Sequence, residues 1–168
     1  MSIDPDAFRR GMGRLAASVC IITTAREDGL RWGATATAVC SVSADPPTLL
    51  CCLNRRSNTH DAIRDSGRLA VNVVASSDWA LADRFASSLD PQEKFLEGLW
   101  TPGETGAPLL RSAVVSFDCL VVNAVDVGTH GIFFGDVVGI EHQHDHVRSL
   151  LYAGGGYGRF ADTGEPKV

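Results

Sequence analysis

Two short segments carry residue types whose spacing suits ligand chemistry. The first is Trp32-Gly33-Ala34-Thr35-Ala36-Thr37-Ala38. A planar ligand lying against a backbone needs small side chains there, so that main-chain N–H groups reach its ring heteroatoms. Alternating Ala and Thr supply that, and the hydroxyls add further donors and acceptors. A strand packed tightly against a neighbouring element has the same composition. The second segment is Leu53-Asn54-Arg55-Arg56-Ser57-Asn58-Thr59. It follows an apolar strand and opens a helix, so exposed N–H groups meet two arginines and two hydroxyls. That combination suits an anion, phosphate above all. A solvated turn with an ordinary helix cap reads the same way.

Three other patterns lead less far. Gly154-Gly155-Gly156-Tyr157-Gly158 is glycine-rich, but Arg159 stands where a dinucleotide fingerprint needs glycine, and too little chain follows for a βαβ unit. His142, His144 and His146 alternate, so a strand would put them on one face with Asp145 on the other. Such a row can bind a transition metal; solvated imidazoles at a strand end are commoner, and no metal is assigned to it. Five cysteines include no C-x-x-C pair, and Cys51 and Cys52 are adjacent, hence on opposite faces of a strand. They read as reduced, mostly buried thiols, none with a base beside it in sequence.

The elements that must hold these segments follow from period and punctuation. Asp4, Pro5 and the spacing of Phe8, Met12, Leu15, Ala16 and Val19 predict a first helix. Residues 19–24 and 31–34 form a hairpin about Glu27-Asp28-Gly29. Residues 34–42 are a low-bulk run whose threonines suit helix poorly. A strand over 48–53, a helix over 57–65 capped by Ser57 or Asn58, and a strand over 68–74 come next. A helix over 77–86 carries Trp79, Ala82 and Phe85 on one side, the two aromatics as core. Residues 87–109 are loop-rich. Strands over 113–127 and 131–141 flank the link Gly128-Thr129-His130, and a last strand spans 147–152. Strands outnumber helices by at least six to three, and hairpin-length links join most of them. The expected fold is therefore mainly β: an antiparallel sheet closed into a barrel with a few peripheral helices.

A chain of 168 residues fits one domain, expected over residues 1–160 with a frayed tail over 161–168. Its 45% hydrophobic and 21% charged content is that of a globular protein. A net charge of −5 gives no general attraction to nucleic acid or anionic membrane. Asp4, Asp6, Arg9 and Arg10 exclude a signal peptide at the N-terminus. No apolar run approaches the roughly 20 residues of a membrane span. A cytoplasmic protein is the expectation.

Taken together, residues 32–59, W-G-A-T-A-T-A-V-C-S-V-S-A-D-P-P-T-L-L-C-C-L-N-R-R-S-N-T, resemble the flavin reductase family, the small reductase components of two-component monooxygenases. Asp83-Arg84-Phe85-Ala86, Lys94-Phe95, the G-x-H-x-I-F-x-G-x-V pattern of residues 128–137 and a G-x-Y-x-R-F ending at Phe160 extend the likeness over residues 8–160. The resemblance implies a split-barrel homodimer binding FMN, or FAD, with NADH or NADPH as hydride donor and a monooxygenase as recipient of the reduced flavin. By position, Thr35, Ala36, Thr37 and Ala38 would contact the isoalloxazine edge. Cys52, Leu53, Asn54 and Arg55 would line the ribityl chain, and Ser57, Asn58 and Thr59 would hold the phosphate. Arg84 and Phe85 would sit against the flavin. His130, as the catalytic-site residue, and Gly154, Gly155, Gly156 and Tyr157 would form the nicotinamide side. Many relatives carry an acidic residue where Thr129 stands.

Such chemistry belongs to the cofactor, and the protein contributes orientation, stacking and donors for developing charge. A flavin- or haem-holding split barrel without nicotinamide oxidation is the alternative reading. An oxidase of the pyridoxamine-phosphate type would need more basic residues than this chain readily provides.

Overall fold

The computed structural model describes residues 3–142 and 147–160. In chain order the elements are α1 (Pro5–Met12), β1 (Ala17–Ser18), β2 (Cys20–Ala25), β3 (Arg31–Ala36), β4 (Val39–Ala44), β5 (Pro47–Asn54), α2 (Asn58–Ser66) and β6 (Arg68–Val73). There follow α3 (Trp79–Ala86), α4 (Pro91–Lys94), β7 (Trp100–Pro102), β8 (Pro108–Leu110), β9 (Val115–Val127), β10 (His130–His142), β11 (Leu150–Ala153) and β12 (Gly156–Arg159).

Seven strands form one antiparallel sheet in the order β3-β2-β6-β9-β10-β5-β4. Its two edge strands, β3 and β4, are consecutive in the chain and joined only by Thr37 and Ala38. The sheet must therefore curl until its edges meet. One core records that curl: Cys20 and Ile22 of β2, Leu69 and Val71 of β6, Cys119 of β9, Phe133 of β10 and Cys51 and Leu53 of β5 pack together. Ile63 of α2 joins the same cluster, so that helix closes one end of the barrel.

Strand β2 is apolar on both faces because both are covered. Cys20 and Ile22 face the barrel, while Val19 and Ile21 face a second core made with Leu81, Ala82 and Phe85 of α3, Phe95, Leu110 and Leu150. Asn72 of β6 is the polar hub beneath. Its Nδ2 donates to the Ile21 carbonyl at 3.0 Å, and its Oδ1 accepts from Leu110 N and Ser116 Oγ, each at 2.8 Å. A small sheet β1-β11-β12 lies outside the barrel, with Leu150 as its buried foot.

The mainly β, antiparallel expectation describes this fold. Five local expectations differ from it. The first helix, read through Val19, ends at Met12 with no buried residue, and Ala17–Ser18 is already strand. The run 34–42 is two strands at opposite sheet edges, not one element. Trp79 begins α3 and is 53% exposed, whereas Phe85 is core. The loop-rich stretch 87–109 contains α4 and β7, and β12 occupies part of the glycine-rich segment. The expected tail 161–168, with His144 and His146, lies outside the described residues; His142 ends β10 and is exposed.

Candidate active-site cleft

Where β3 gives way to β4, a cleft of about 670 Å³ opens against the C-terminal hairpin. One wall is Ala34, Thr35, Ala36, Thr37 and Ala38, with Cys52, Leu53 and Asn54 beside them. The opposite wall is Asp83 and Ala86 of α3 with Tyr152, Gly155, Gly156 and Tyr157 of the hairpin. Ser57 and His130 also line it, and Val19 contributes part of the wall.

Local chemistry explains each wall. Phe85 packs so closely on Gly33 that a Cβ there would lie 2.5 Å from its ring. That contact, with Thr35 Oγ1 donating to the Ala82 carbonyl at 2.6 Å, clamps β3 to α3. Thr37 and Ala38 then turn the chain, and the Cys52 amide donates to the Ala38 carbonyl at 3.0 Å, seating the turn on the end of β5. Beyond β5, Asn54 Oδ1 accepts from the Arg56 amide at 2.9 Å and the Asn54 carbonyl from the Ser57 amide at 2.9 Å. This Asx-type turn delivers Ser57 to cap α2, where its Oγ accepts from the Thr59 amide at 3.2 Å. Gly67, with φ of +67°, ends the same helix.

His130 reaches the cleft through a two-residue turn. Val127 pairs with His130 across Gly128 and Thr129, and Gly128 supplies the positive φ (57°) such hairpins use. His130 also pairs with Asn54, which sets it beside the end of β5. Its Nδ1 lies 2.9 Å from Thr129 Oγ1, so Thr129 holds the imidazole.

Charge is unevenly placed. Asp83 is the charged residue lining the cleft, and no arginine or lysine lines it among the described residues. Arg55 and Arg56 instead line an adjoining cleft of about 530 Å³ with Gly128 and Thr129, the two clefts sharing Asn54. Arg55 Nε lies 3.4 Å from Asp126, whose other oxygen accepts from Arg64 at 2.6 Å. Tyr157 donates its phenolic hydrogen to Asp83 Oδ1 at 2.7 Å. Burial first, then that hydrogen bond and the Asp83 charge, push the phenol up to about 12, so it remains a donor at neutral pH.

Of the residues singled out in the sequence, the cleft brings together Thr35, Ala36, Thr37, Ala38, Cys52, Leu53, Asn54, Ser57, His130, Gly155, Gly156 and Tyr157. The others stand elsewhere. Arg55 faces the adjoining cleft. Asn58 is exposed on α2, and Thr59 is buried behind Ser57. Arg84 turns away, with Nη2 donating to the Glu93 carbonyl at 2.6 Å. Phe85 is core, between Phe95 and Trp100. Gly154 sits at the hairpin turn, its amide donating to the Gly13 carbonyl at 2.7 Å. Sequence reading placed Ala34 in the small-residue run but gave no site role to Val19, Asp83, Ala86 and Tyr152. The signal for Asp83 and Ala86 was present: three apart on a helix they share a face, which Phe85 cannot share while filling the core.

Cys51 and Cys52 separate as their adjacency requires, Cys51 into the core and Cys52 to the cleft. Burial, then the proximity of Cys40, raises the Cys52 thiol above its ordinary range. It is a neutral lining group there.

Residues 12–161 match the model of the flavin reductase like domain. The chain belongs to the flavin reductase-like family. It is 46% identical over 151 residues to the FMN reductase (NADH) RutF of Pseudomonas syringae pv. syringae, covering 90% of this chain and 84% of that protein. Among solved structures, nitrilotriacetate monooxygenase component B from Mycobacterium thermoresistibile superposes with a TM-score of 0.90 at 30% identity, covering 97% of this chain and 90% of that one. The NADH:FAD oxidoreductase SgcE6 of Streptomyces globisporus, solved with NAD and FAD fragments, gives 0.87 at 28% identity over 98% and 99% of the two chains. The curled sheet and its cleft are therefore a flavin reductase-like scaffold. Among the described residues no helix is long and apolar enough to cross a membrane.

Proposed function

We propose that this protein is an NADH:flavin oxidoreductase acting on FMN, which passes reduced flavin to a partner monooxygenase. The observation that carries this reading is the cleft itself. Its volume lies within the range of small-molecule sites. One wall is three alanines and two threonines, thin enough for a flat ring to approach the backbone. At one end stands the N-terminus of α2 with Ser57 as its cap, which suits the single phosphate of FMN. His130 and the bare Gly155-Gly156 backbone line the cleft as well, leaving room for the nicotinamide.

Bound flavin supplies the ring that accepts the hydride. Everything else is assigned to the chain. Residues 34–38 offer main-chain donors to the ring, and Ser57 with the first turn of α2 binds the phosphate. Arg55 and Arg56, one cleft further on, extend the positive potential and would take the second phosphate if FAD replaced FMN. Thr129 holds the imidazole of His130, which orients the nicotinamide. The absence of an arginine or lysine on the described cleft wall favours NADH, because the extra phosphate of NADPH would lack a partner there.

The homodimer reading rests on three bulges. The ladders skip Val42 in β4, Val122 in β9 and Val138 in β10. Bulges re-aim side chains, and these valines are 50%, 56% and 41% exposed. Leu120, Val125 and Ile140 of the same strands are exposed as well, and exposed apolar side chains on β4, β9 and β10 suit the approach of a second copy. Five unpaired cysteines fit a cytoplasmic setting.

Anaerobic mixing of the protein, FMN and NADH tests the activity. Loss of oxidised-flavin absorbance at a protein-dependent rate is expected. Flavin binding without bleaching would return the reading to a carrier module.

A further inference from the structure

The C-terminal hairpin forms half of one cleft wall yet has little packing to hold it there. All four residues of β12 are exposed, as are Tyr152 and Ala153 of β11. Leu150 anchors its foot in the core, the two residues of β1 pair with Leu151 and Tyr152 of β11, and the Gly154 amide holds the turn to the Gly13 carbonyl, which leaves β12 as the outer strand. Between these points the hairpin meets α3 through Tyr157, whose hydroxyl donates to Asp83 Oδ1 across the cleft wall. Tyr152 supports that ring edge-on at 5.6 Å. Segments with few buried contacts open at low free-energy cost, so one charge-assisted hydrogen bond weighs heavily at this position.

We propose that the Asp83–Tyr157 hydrogen bond is a clasp that seats the β11–β12 hairpin over the cleft and sets how fast flavin leaves. Both are positioning residues. Asp83 acts by holding Tyr157, and Tyr157 acts by holding the hairpin backbone at Gly155 and Gly156 against whatever fills the cleft. A reductase that passes its product to another protein needs flavin retained long enough to be reduced and then released. A single hydrogen bond on an exposed hairpin is suited to that balance, where a buried lid would not be. The clasp rests on the reading that FMN occupies this cleft.

The experiment measures FMN association and release by stopped-flow fluorescence on the full chain. The variants are Tyr157→Phe, Asp83→Ala, Asp83→Asn and the Tyr157→Phe/Asp83→Ala pair, each with a thermal melt beside it. Loss of a hydrogen bond to a charged acceptor, discounted for partial exposure, should speed FMN release about 5- to 20-fold in Tyr157→Phe and in Asp83→Ala. Because both remove one interaction, the double variant should release within about twofold of the faster single variant. Asp83→Asn keeps an acceptor oxygen and should fall between wild type and Asp83→Ala. Unchanged release in either single variant, or multiplicative effects in the double, would overturn the clasp while leaving the flavin site standing. Failure of the unmodified protein to bind FMN would overturn the flavin reading, and the clasp with it.

Discussion

The contact between Gly33 and Phe85 makes a demanding prediction, because it joins packing to the flavin site through one missing methyl group. A Cβ at position 33 would lie 2.5 and 2.8 Å from two Phe85 ring carbons and 3.3 Å from Thr23 Cγ2. The ring has nowhere to go: it is 1% exposed, with the rings of Phe95 and Trp100 at 5.0 and 5.3 Å. Overpacking of this kind costs about 1–3 kcal/mol, and the severity of the clash places Gly33→Ala toward the upper end. Alanine recovers about 0.4–1 kcal/mol by restricting the unfolded chain, since the φ of Gly33 is not positive. A net loss of about 2 kcal/mol corresponds to a drop in Tm of about 4–8 °C for a chain of this size. The strain passes to α3, which carries Asp83 and Ala86 of the cleft wall, so FMN affinity should fall about threefold or more. Calorimetry and an FMN titration read the two effects. Gly158→Ala, which meets nothing within 4 Å, is the matched control and should stay within about 0.5 kcal/mol. Adding Phe85→Leu should make the pair less destabilising than the sum of the single changes. A Gly33→Ala protein as stable as wild type would refute the packing argument.

Four further outcomes are expected. His130→Ala should lower kcat/KM for NADH about 10- to 100-fold, a loss of about 1.4–2.7 kcal/mol, in stopped-flow traces at varied NADH; an unchanged value would make His130 a bystander. Ser57→Ala should weaken FMN binding about tenfold and riboflavin binding less, because riboflavin lacks the phosphate. Equal losses would mean that Ser57 does not read it. In native protein a thiol alkylating reagent should modify at most Cys40 and Cys52, because burial raises the thiols of Cys20 and Cys119 to about 12 and that of Cys51 higher still. Labelling of these three before unfolding, seen by peptide mass mapping, would contradict that burial. Sedimentation at micromolar concentration should show a dimer of the 17.9 kDa chain, and a monomer alone would remove the role given to the bulged valines.

The parts of this structure legible in sequence are those fixed by local pattern. The two long strands, the Gly128-Thr129 turn and the Ser57 cap follow from alternation, a positive-φ glycine and a side-chain oxygen at a helix start. The small-residue run 34–38 pointed to a ligand wall for the same reason: bulk is a local property. Tertiary choices were less legible. Nothing in residues 34–42 says that the chain leaves one sheet edge at Thr37 and begins the other at Val39, since that break depends on the whole sheet curling. Trp79 and Phe85 both read as core, yet only one place beneath Gly33 accepts an aromatic ring, and Trp79 is left at the exposed start of α3. The Asp83–Tyr157 pair spans 74 positions of sequence, beyond any local signal.

The most direct test of the central claim is a crystal structure of the protein with FMN. The account predicts the ring against the Ala34–Ala36–Ala38 wall, the phosphate at Ser57 and the start of α2, and the hairpin glycines across from them. FMN in the Arg55–Arg56 cleft, with the alanine wall bare, would contradict it.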